Sequence, residues 1–331
     1  MTPEGKLKVG VIGVGALGRH HARLYKQSKN AEVVGIYDVN PETAAGVAAE
    51  FDLPIIDNMF ELARQCDAVS IAVPATRHHE VTVPILNMGV HVLVEKPIAA
   101  TVSEGEDMVE AAAANHVVLA VGHVERFNPA MDFLEKNAHN TRFAEVHRLA
   151  KYPPPRPGLP RRGTEVSVIH DLMIHDLDLV MTMFGTEVEH IDAVGIPVLS
   201  ETEDIASVRI KFVNGSVANI TASRVSMEPQ RRFRIFQSDC YISMDYGKHN
   251  GMVLKKTRVG LARKDINLSE KNALQYEIED FLAAVGKTMA TGEVVTPRVC
   301  GRQGLRALRL AERITDEIKN YNEKYGIVFS R

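Results

Sequence analysis

The sequence predicts a doubly wound α/β domain over residues 1–124, followed by an α+β domain with an open, mainly antiparallel sheet over residues 125–331. Three observations lead there. Up to residue 124, short β-branched runs of nearly unbroken hydrophobicity alternate with helical stretches, the pattern of a parallel sheet covered by helices on both faces. A glycine-rich turn directly follows the first of these runs. Beyond residue 124 the alternation stops, and a proline-rich stretch at 152–160 leads into one long helical segment and then into successive strand-like runs.

In order, the strands expected in the first domain are 9–13, 33–37, 68–73, 91–94 and 117–121, and the helices between them are 17–27, 41–51, 78–88 and 102–115. The second domain should hold a helix over about 166–184 and strands until about 253. Asn214-Gly215, between runs 205–213 and 216–225, reads as a type I′ hairpin turn, whose twist suits the flanking strands. Alternating Ser216, Ala218, Ile220, Ala222 and Arg224 are expected on the open sheet face, where a second copy would dock to give a homodimer or homotetramer. Residues 274–321 read as helical and are expected to return to the first domain.

Composition narrows the function. At 331 residues the chain suits about two domains, and 45% hydrophobic with 24% charged residues is ordinary globular usage. A net charge of −3 supplies no global field for nucleic acid or an anionic membrane, so anion binding has to be local. Three well-separated cysteines, Cys66, Cys240 and Cys300, provide neither a disulfide framework nor a metal knuckle. With no signal-peptide pattern and no long apolar run, a cytoplasmic protein is expected. His170 and His175 are five apart, out of phase for a pair of helical metal ligands, so no metal is expected.

Gly13, Val14, Gly15, Ala16, Leu17 and Gly18 link the first strand to the first helix. In a dinucleotide-binding Rossmann domain the first glycine makes a tight turn, the second admits a pyrophosphate and the third lets helix and strand touch. Asp38, twenty residues beyond Gly18 at the end of the second strand, would accept hydrogen bonds from the ribose hydroxyls and repel a 2′-phosphate. NAD is therefore expected rather than NADP. Two more strand ends should open on the same crevice: Val73, Pro74 and Ala75 with His78, and Glu95 with Lys96.

The 13–18 fingerprint with His21, Pro74 with His78 and Glu80, Glu95-Lys96-Pro97, and Asp171 with His175 together make the chain resemble the Gfo/Idh/MocA family over essentially its whole length. The resemblance implies a nicotinamide enzyme acting on a secondary carbinol of a sugar or cyclitol, with Lys96, Asp171 and His175 as its catalytic group and a cis Lys96-Pro97 bond. Read by themselves, Asp171 and His175 are four apart in a helical pattern and share a face, and a carboxylate beside an imidazole suits a general base near neutral pH. His175 would then remove the hydroxyl proton, Lys96 stabilise the oxyanion and Asp171 position both.

Gly122 to Pro129 and Asp171 to Asp176, with Met173 where many family members carry glycine, resemble the branch acting on nucleotide-linked amino sugars such as UDP-N-acetylglucosamine. Arg126 and Asn128 are then substrate-binding candidates. So are Arg161 and Arg162, in a basic loop with Lys151 and Arg156 that could grip a diphosphate. Arg231, Arg232 and Arg234 form a second basic cluster. A dehydrogenase of a free sugar or inositol, and a dinucleotide sensor without turnover, are the competing functions.

Overall fold

The computed structural model describes residues 5–155, 161, 163–164 and 166–328. The chain divides into two compact units, Met1–Val124 with Asn272–Leu308, and Glu125–Lys271 with Arg309–Arg331.

In the first unit the elements follow as β1 (Leu7–Ile12), α1 (Gly18–Gln27), β2 (Ala31–Tyr37), α2 (Pro41–Phe51), α3 (Met59–Arg64), β3 (Ala68–Ile71), α4 (His78–Asn87), β4 (His91–Glu95), α5 (Val102–Ala114) and β5 (Leu119–Gly122). All pairings are parallel, in the order β2-β1-β3-β4-β5. The order reverses beside β1, so the carboxyl ends of β1 and β3 flank a topological switch point, where open α/β sheets bind ligands. Helix starts are encoded locally. Asn40 accepts from the backbone N–H groups of Glu42 and Thr43 with Pro41 at the first helical position, and Thr101 and Glu104 form a capping box on α5.

Residues near the carboxyl end divide between the units. Helix α8 (Ala273–Thr291) buries Ile278, Phe281, Leu282 and Val285 in the same core as Ala22, Leu24 and Tyr25 of α1. At about 1.5–3 kcal/mol per fully buried large apolar side chain, that face holds the helix to the first unit. Helix α9 (Gly301–Lys324) begins there, with Gly304 against Val121, whereas Leu310, Ala311, Ile314 and Ile318 belong to the second unit's core. The expectation that the whole 274–321 segment returns to the first domain is corrected accordingly.

The second unit contains α6 (Pro129–Asn137), β6 (Phe143–Leu149), a π-helical turn at Ile169–Met173, α7 (Ile174–Phe184), β7 (Val188–Ile196), β8 (Ile205–Phe212), β9 (Val217–Ser223), β10 (Gln230–Phe236), β11 (Cys240–Asp245), β12 (Asn250–Thr257) and β13 (Gly260–Asn267). The sheet order is β13-β12-β11-β10-β6-β9-β8-β7, antiparallel except for the parallel β6–β9 pair. Strand structure runs past residue 253 to Asn267; the β12–β13 hairpin is largely solvent-exposed and carries Lys and Arg, so no apolar alternation marks it in the sequence.

Two local expectations change. Ser216, Ala218, Ile220, Ala222 and Arg224 are all buried on the core side of the sheet, so the open face is the opposite one, carrying Asn219, Thr221, Ser207 and Arg209. Small residues let neighbouring elements approach that side closely, which reverses the inside–outside assignment. At the β8–β9 hairpin, Gly215 N–H donates to the Phe212 carbonyl and Phe212 N–H to that of Ser216. Gly215 has φ +79° and Asn214 is not among the positive-φ residues, so the loop is a three-residue turn ending in a left-handed glycine rather than type I′. Among the described residues, no helix is long and apolar enough to cross a membrane.

Candidate active site

The nucleotide half lies at the end of β1. Gly13 has φ +82°, and a Cβ there would lie 2.9 Å from the Ala72 backbone. A Cβ on Gly18 would collide with the Gly13 carbonyl, so the third glycine permits the helix–turn contact. Nothing lies within 4 Å of a Cβ built on Gly15, and Gly15 and Ala16 are exposed beside half-buried Leu17. This open approach at the start of α1 suits a pyrophosphate, with backbone N–H groups as donors. Asp38 is braced: Oδ2 accepts from Val14 N–H (2.8 Å) and Oδ1 from Asn40 N–H (2.9 Å). Each oxygen keeps a second lone pair for a ribose hydroxyl. Asp38→Ala is expected to weaken NAD binding and narrow the NAD-over-NADP preference about tenfold or more, read from kcat/KM with each cofactor; an unchanged preference would show that another residue selects the ribose.

Two strand ends adjoin this turn. His78 is buried, with Nδ1 2.8 Å from the Pro97 carbonyl and Nε2 3.0 Å from the Val73 carbonyl, so it ties the two turns together. Burial holds its imidazole below the ordinary pKa against the pull of both carbonyls, so the neutral ring donates to one of them and only adjoins the other. Pro74 is exposed and Val73 and Ala75 are half-buried. Lys96 is half-buried just past β4, and its bond to Pro97 is cis, as the resemblance implies. Glu95 is buried, with Oε1 3.0 Å from His21 Nε2.

In the second unit, Asp171 lies in the π-helical turn and His175 in the first turn of α7. The segment was expected to be α-helical throughout. A step of four overshoots a full turn by about 40° in an α-helix and falls short of one in a wider π turn, so the two residues share a face in either geometry. A Cβ on Gly163, at φ +77°, would collide with the Asp171 carboxylate, and the buried Arg224 donates to the Gly163 carbonyl. Arg224 in turn pairs with buried Asp204 at 2.6 Å. Sequence reading missed this support for Asp171.

The substrate-binding candidates separate. Asn128 is buried and caps α6, accepting from Ala130 N–H (3.0 Å) and donating to the Tyr246 carbonyl (3.0 Å) and to Glu125 (3.2 Å). Buried Arg126 faces Asp178 at 3.4 Å and donates to Thr182. Asn128 is engaged in the framework of the second unit, as is Arg126 through Nη1, whereas the buried Arg126 Nε makes no hydrogen bond. Arg161 donates to the Pro153 carbonyl and stacks over Tyr152, its guanidinium 5.2 Å from the ring centre. Arg162 and Arg156 lie outside the described residues. In the second cluster Arg231 pairs with Glu125 and Arg234 with Glu145, which lowers its net charge. Among the described residues, no group of three or more His, Cys, Asp and Glu is placed to hold a metal ion.

A glycine turn open to a pyrophosphate at a parallel-sheet switch point, with a braced aspartate at the next strand end, is the arrangement of a dinucleotide-binding domain. Residues 7–123 match the family model "Oxidoreductase family, NAD-binding Rossmann fold", and residues 140–243 match "GFO/IDH/MocA C-terminal domain". The chain belongs to the Gfo/Idh/MocA family. It is 37% identical to UDP-N-acetylglucosamine 3-dehydrogenase of Acidithiobacillus ferrooxidans over 91% of this chain and 95% of that protein. A solved structure of that enzyme superposes with a TM-score of 0.87 over 96% of this chain and 99% of that one, at 35% identity. Myo-inositol 2-dehydrogenase of Thermotoga maritima is 24% identical over 92% of this chain and 94% of its own length.

Proposed function

We propose that the protein oxidises a secondary hydroxyl, at C3, of a nucleotide-linked amino sugar such as UDP-N-acetylglucosamine, with NAD as acceptor. The observation that carries this is the 37% identity to UDP-N-acetylglucosamine 3-dehydrogenase across nearly the full length of both chains. The glycine turn and Asp38 would hold NAD, which supplies the hydride acceptor. On this reading Lys96, Asp171 and His175 act on one carbinol. His175 takes the hydroxyl proton, Lys96 stabilises the developing oxyanion, and Asp171 orients the imidazole. Arg161 and Arg162 are assigned to the diphosphate, whose oxygens match a guanidinium fork.

The protein is proposed to be cytoplasmic, in keeping with its three free cysteines, and a homodimer or homotetramer. The open sheet face with Glu145, His147, Arg209, Asn219 and Thr221 is the surface offered to the second copy.

The purified protein incubated with NAD and a substrate panel should produce NADH with UDP-N-acetylglucosamine and none with myo-inositol or free sugars. NADH from myo-inositol alone would assign the inositol reaction, and NAD binding without turnover of any panel member would favour a sensor.

A further inference from the structure

Gly163 and Val166 precede the π-helical turn in backbone that is neither helix nor strand, so no ladder serves their carbonyls. Arg224, just past β9, serves both. Its Nη1 donates to the Gly163 carbonyl and to that of Val166 (2.8 Å), Nη2 to Ser200 Oγ (2.7 Å) and Thr202 Oγ1 (3.0 Å), and Nε to Asp204 Oδ1 (2.6 Å). All five guanidinium N–H groups are thereby placed, and the residue is 1% exposed. Asp204 is fixed in turn, because Oδ2 accepts from the backbone N–H groups of Val198 (2.8 Å), Leu199 and Ser200 (2.9 Å). Thr202 Oγ1 donates to the Val166 carbonyl (3.0 Å), and Val168 N–H to that of Glu203 (2.9 Å). The segment ahead of the π-helical turn is thus tied to the 198–204 loop.

Asp171 meets this seat from two sides. Its backbone N–H donates to the Ser167 carbonyl (3.1 Å), and its carboxylate packs on Gly163 so closely that a Cβ there would collide with it. We infer that Gly163 is a positioning residue for Asp171, and that Arg224 and Asp204 act through it by holding bare backbone against the carboxylate. This rests on the reading of Asp171 as the group that orients His175. Helical spacing puts Asp171 and His175 on one face but leaves the carboxylate several rotamers. Backbone pinned at Gly163 closes those on its side, and a displacement of about 1 Å in a reacting group can cost about 10² in rate.

The test measures kcat, KM for NAD and melting temperature, with UDP-N-acetylglucosamine as substrate, in Gly163→Ala, Gly185→Ala, Ser200→Ala, Asp171→Ala and the Gly163→Ala/Asp171→Ala double variant. Gly163 has φ +77°; Gly185, which closes α7, has φ +60° and nothing within 4 Å of a built Cβ. Gly185→Ala therefore carries the strain of a left-handed alanine without touching Asp171. Gly163→Ala is expected to lower kcat about tenfold or more with KM for NAD within about twofold, whereas Gly185→Ala should lower the melting temperature and keep kcat within about twofold. Ser200→Ala, which removes an acceptor from Arg224 and a donor from Asp204, should lower kcat about threefold or more. Once the Asp171 carboxylate is gone, Gly163→Ala has nothing to displace. The double variant should then match Asp171→Ala within about 1.5-fold in single-turnover rate. Should Gly163→Ala not fold, the same cycle is run with Ser200→Ala.

An unchanged kcat in the folded variants, an equal loss in Gly163→Ala and Gly185→Ala, or a loss of the same size with and without the Asp171 carboxylate overturns the inference while the role of Asp171 stands. Wild-type turnover by Asp171→Ala would instead remove the reading on which it rests.

Discussion

Lys96→Met and His175→Asn are each expected to lower kcat by about 10²-fold or more while NAD affinity stays within about twofold. A positioned general base contributes about 10²–10⁴ to rate, and a preorganised donor at a developing oxyanion about 10²–10³, so either loss is large against experimental error. The retained affinity follows from the division of labour. The glycine turn at 13–18 and Asp38 do not depend on either side chain: Asp38 is braced by Val14 and Asn40. Groups that act together on one carbinol are non-additive on removal, so the double variant should be little worse than the slower single one. Single-turnover kinetics would read the chemical step, and NADH fluorescence on titration would read cofactor binding. Wild-type rates in both variants would remove the catalytic assignment and leave the family membership and the nucleotide half of the site untouched.

The first unit was highly legible because a parallel sheet writes itself into sequence twice, as buried β-branched runs and as the helices between them. The strands are short and mostly apolar, with Ala68–Ile71 buried at every position, and the turn at Gly13 needs a conformation that glycine adopts readily. Two short helices, α3 and α6, were missed although Asn58 and Asn128 cap them, Asn128 with Pro129 following. Asn128, a substrate-binding candidate by sequence, is the N-cap of α6, a role that the Asn-Pro pair signals.

The deeper omissions concern buried charge. Arg148 falls in phase with Ala144 and Val146 on β6, and Arg224 in phase with Ala218, Ile220 and Ala222, so each arginine sits where its strand faces the core. A charge at a core position requires a partner. That much the alternation could have announced, but the partners, Asp176 and Asp204, are remote in sequence and only the fold brings them near. The same holds for His21 with Glu95, seventy-four positions apart. The π-helical turn at Ile169–Met173 leaves no periodicity signal distinct from an ordinary helix over so few residues.

Arg148→Met should destabilise the second unit by about 3–5 kcal/mol, a fall in melting temperature on the order of 10 °C. Arg148 Nε and Nη2 donate to the two Asp176 oxygens at 2.8 and 3.0 Å, and Nη1 donates to Glu125 at 3.1 Å. Tyr246 Oη donates to Asp176 at 2.8 Å, and its ring lies under the guanidinium, 5.3 Å from centroid to Cζ. Burial opposes the guanidinium charge, but Asp176, Tyr246 and Glu125 outweigh it and raise the pKa of Arg148. Methionine fills much of the volume but strands Asp176, which has 0% exposure, without its counter-ion. Adding Asp176→Leu removes the stranded charge and should recover much of the loss, since apolar replacement of a buried pair is often neutral. Because Asp176 adjoins His175 at the start of α7, the double variant also separates two effects: recovered stability with low turnover would mean that the ion pair aims the histidine, and recovery of both would confine the pair to holding the fold.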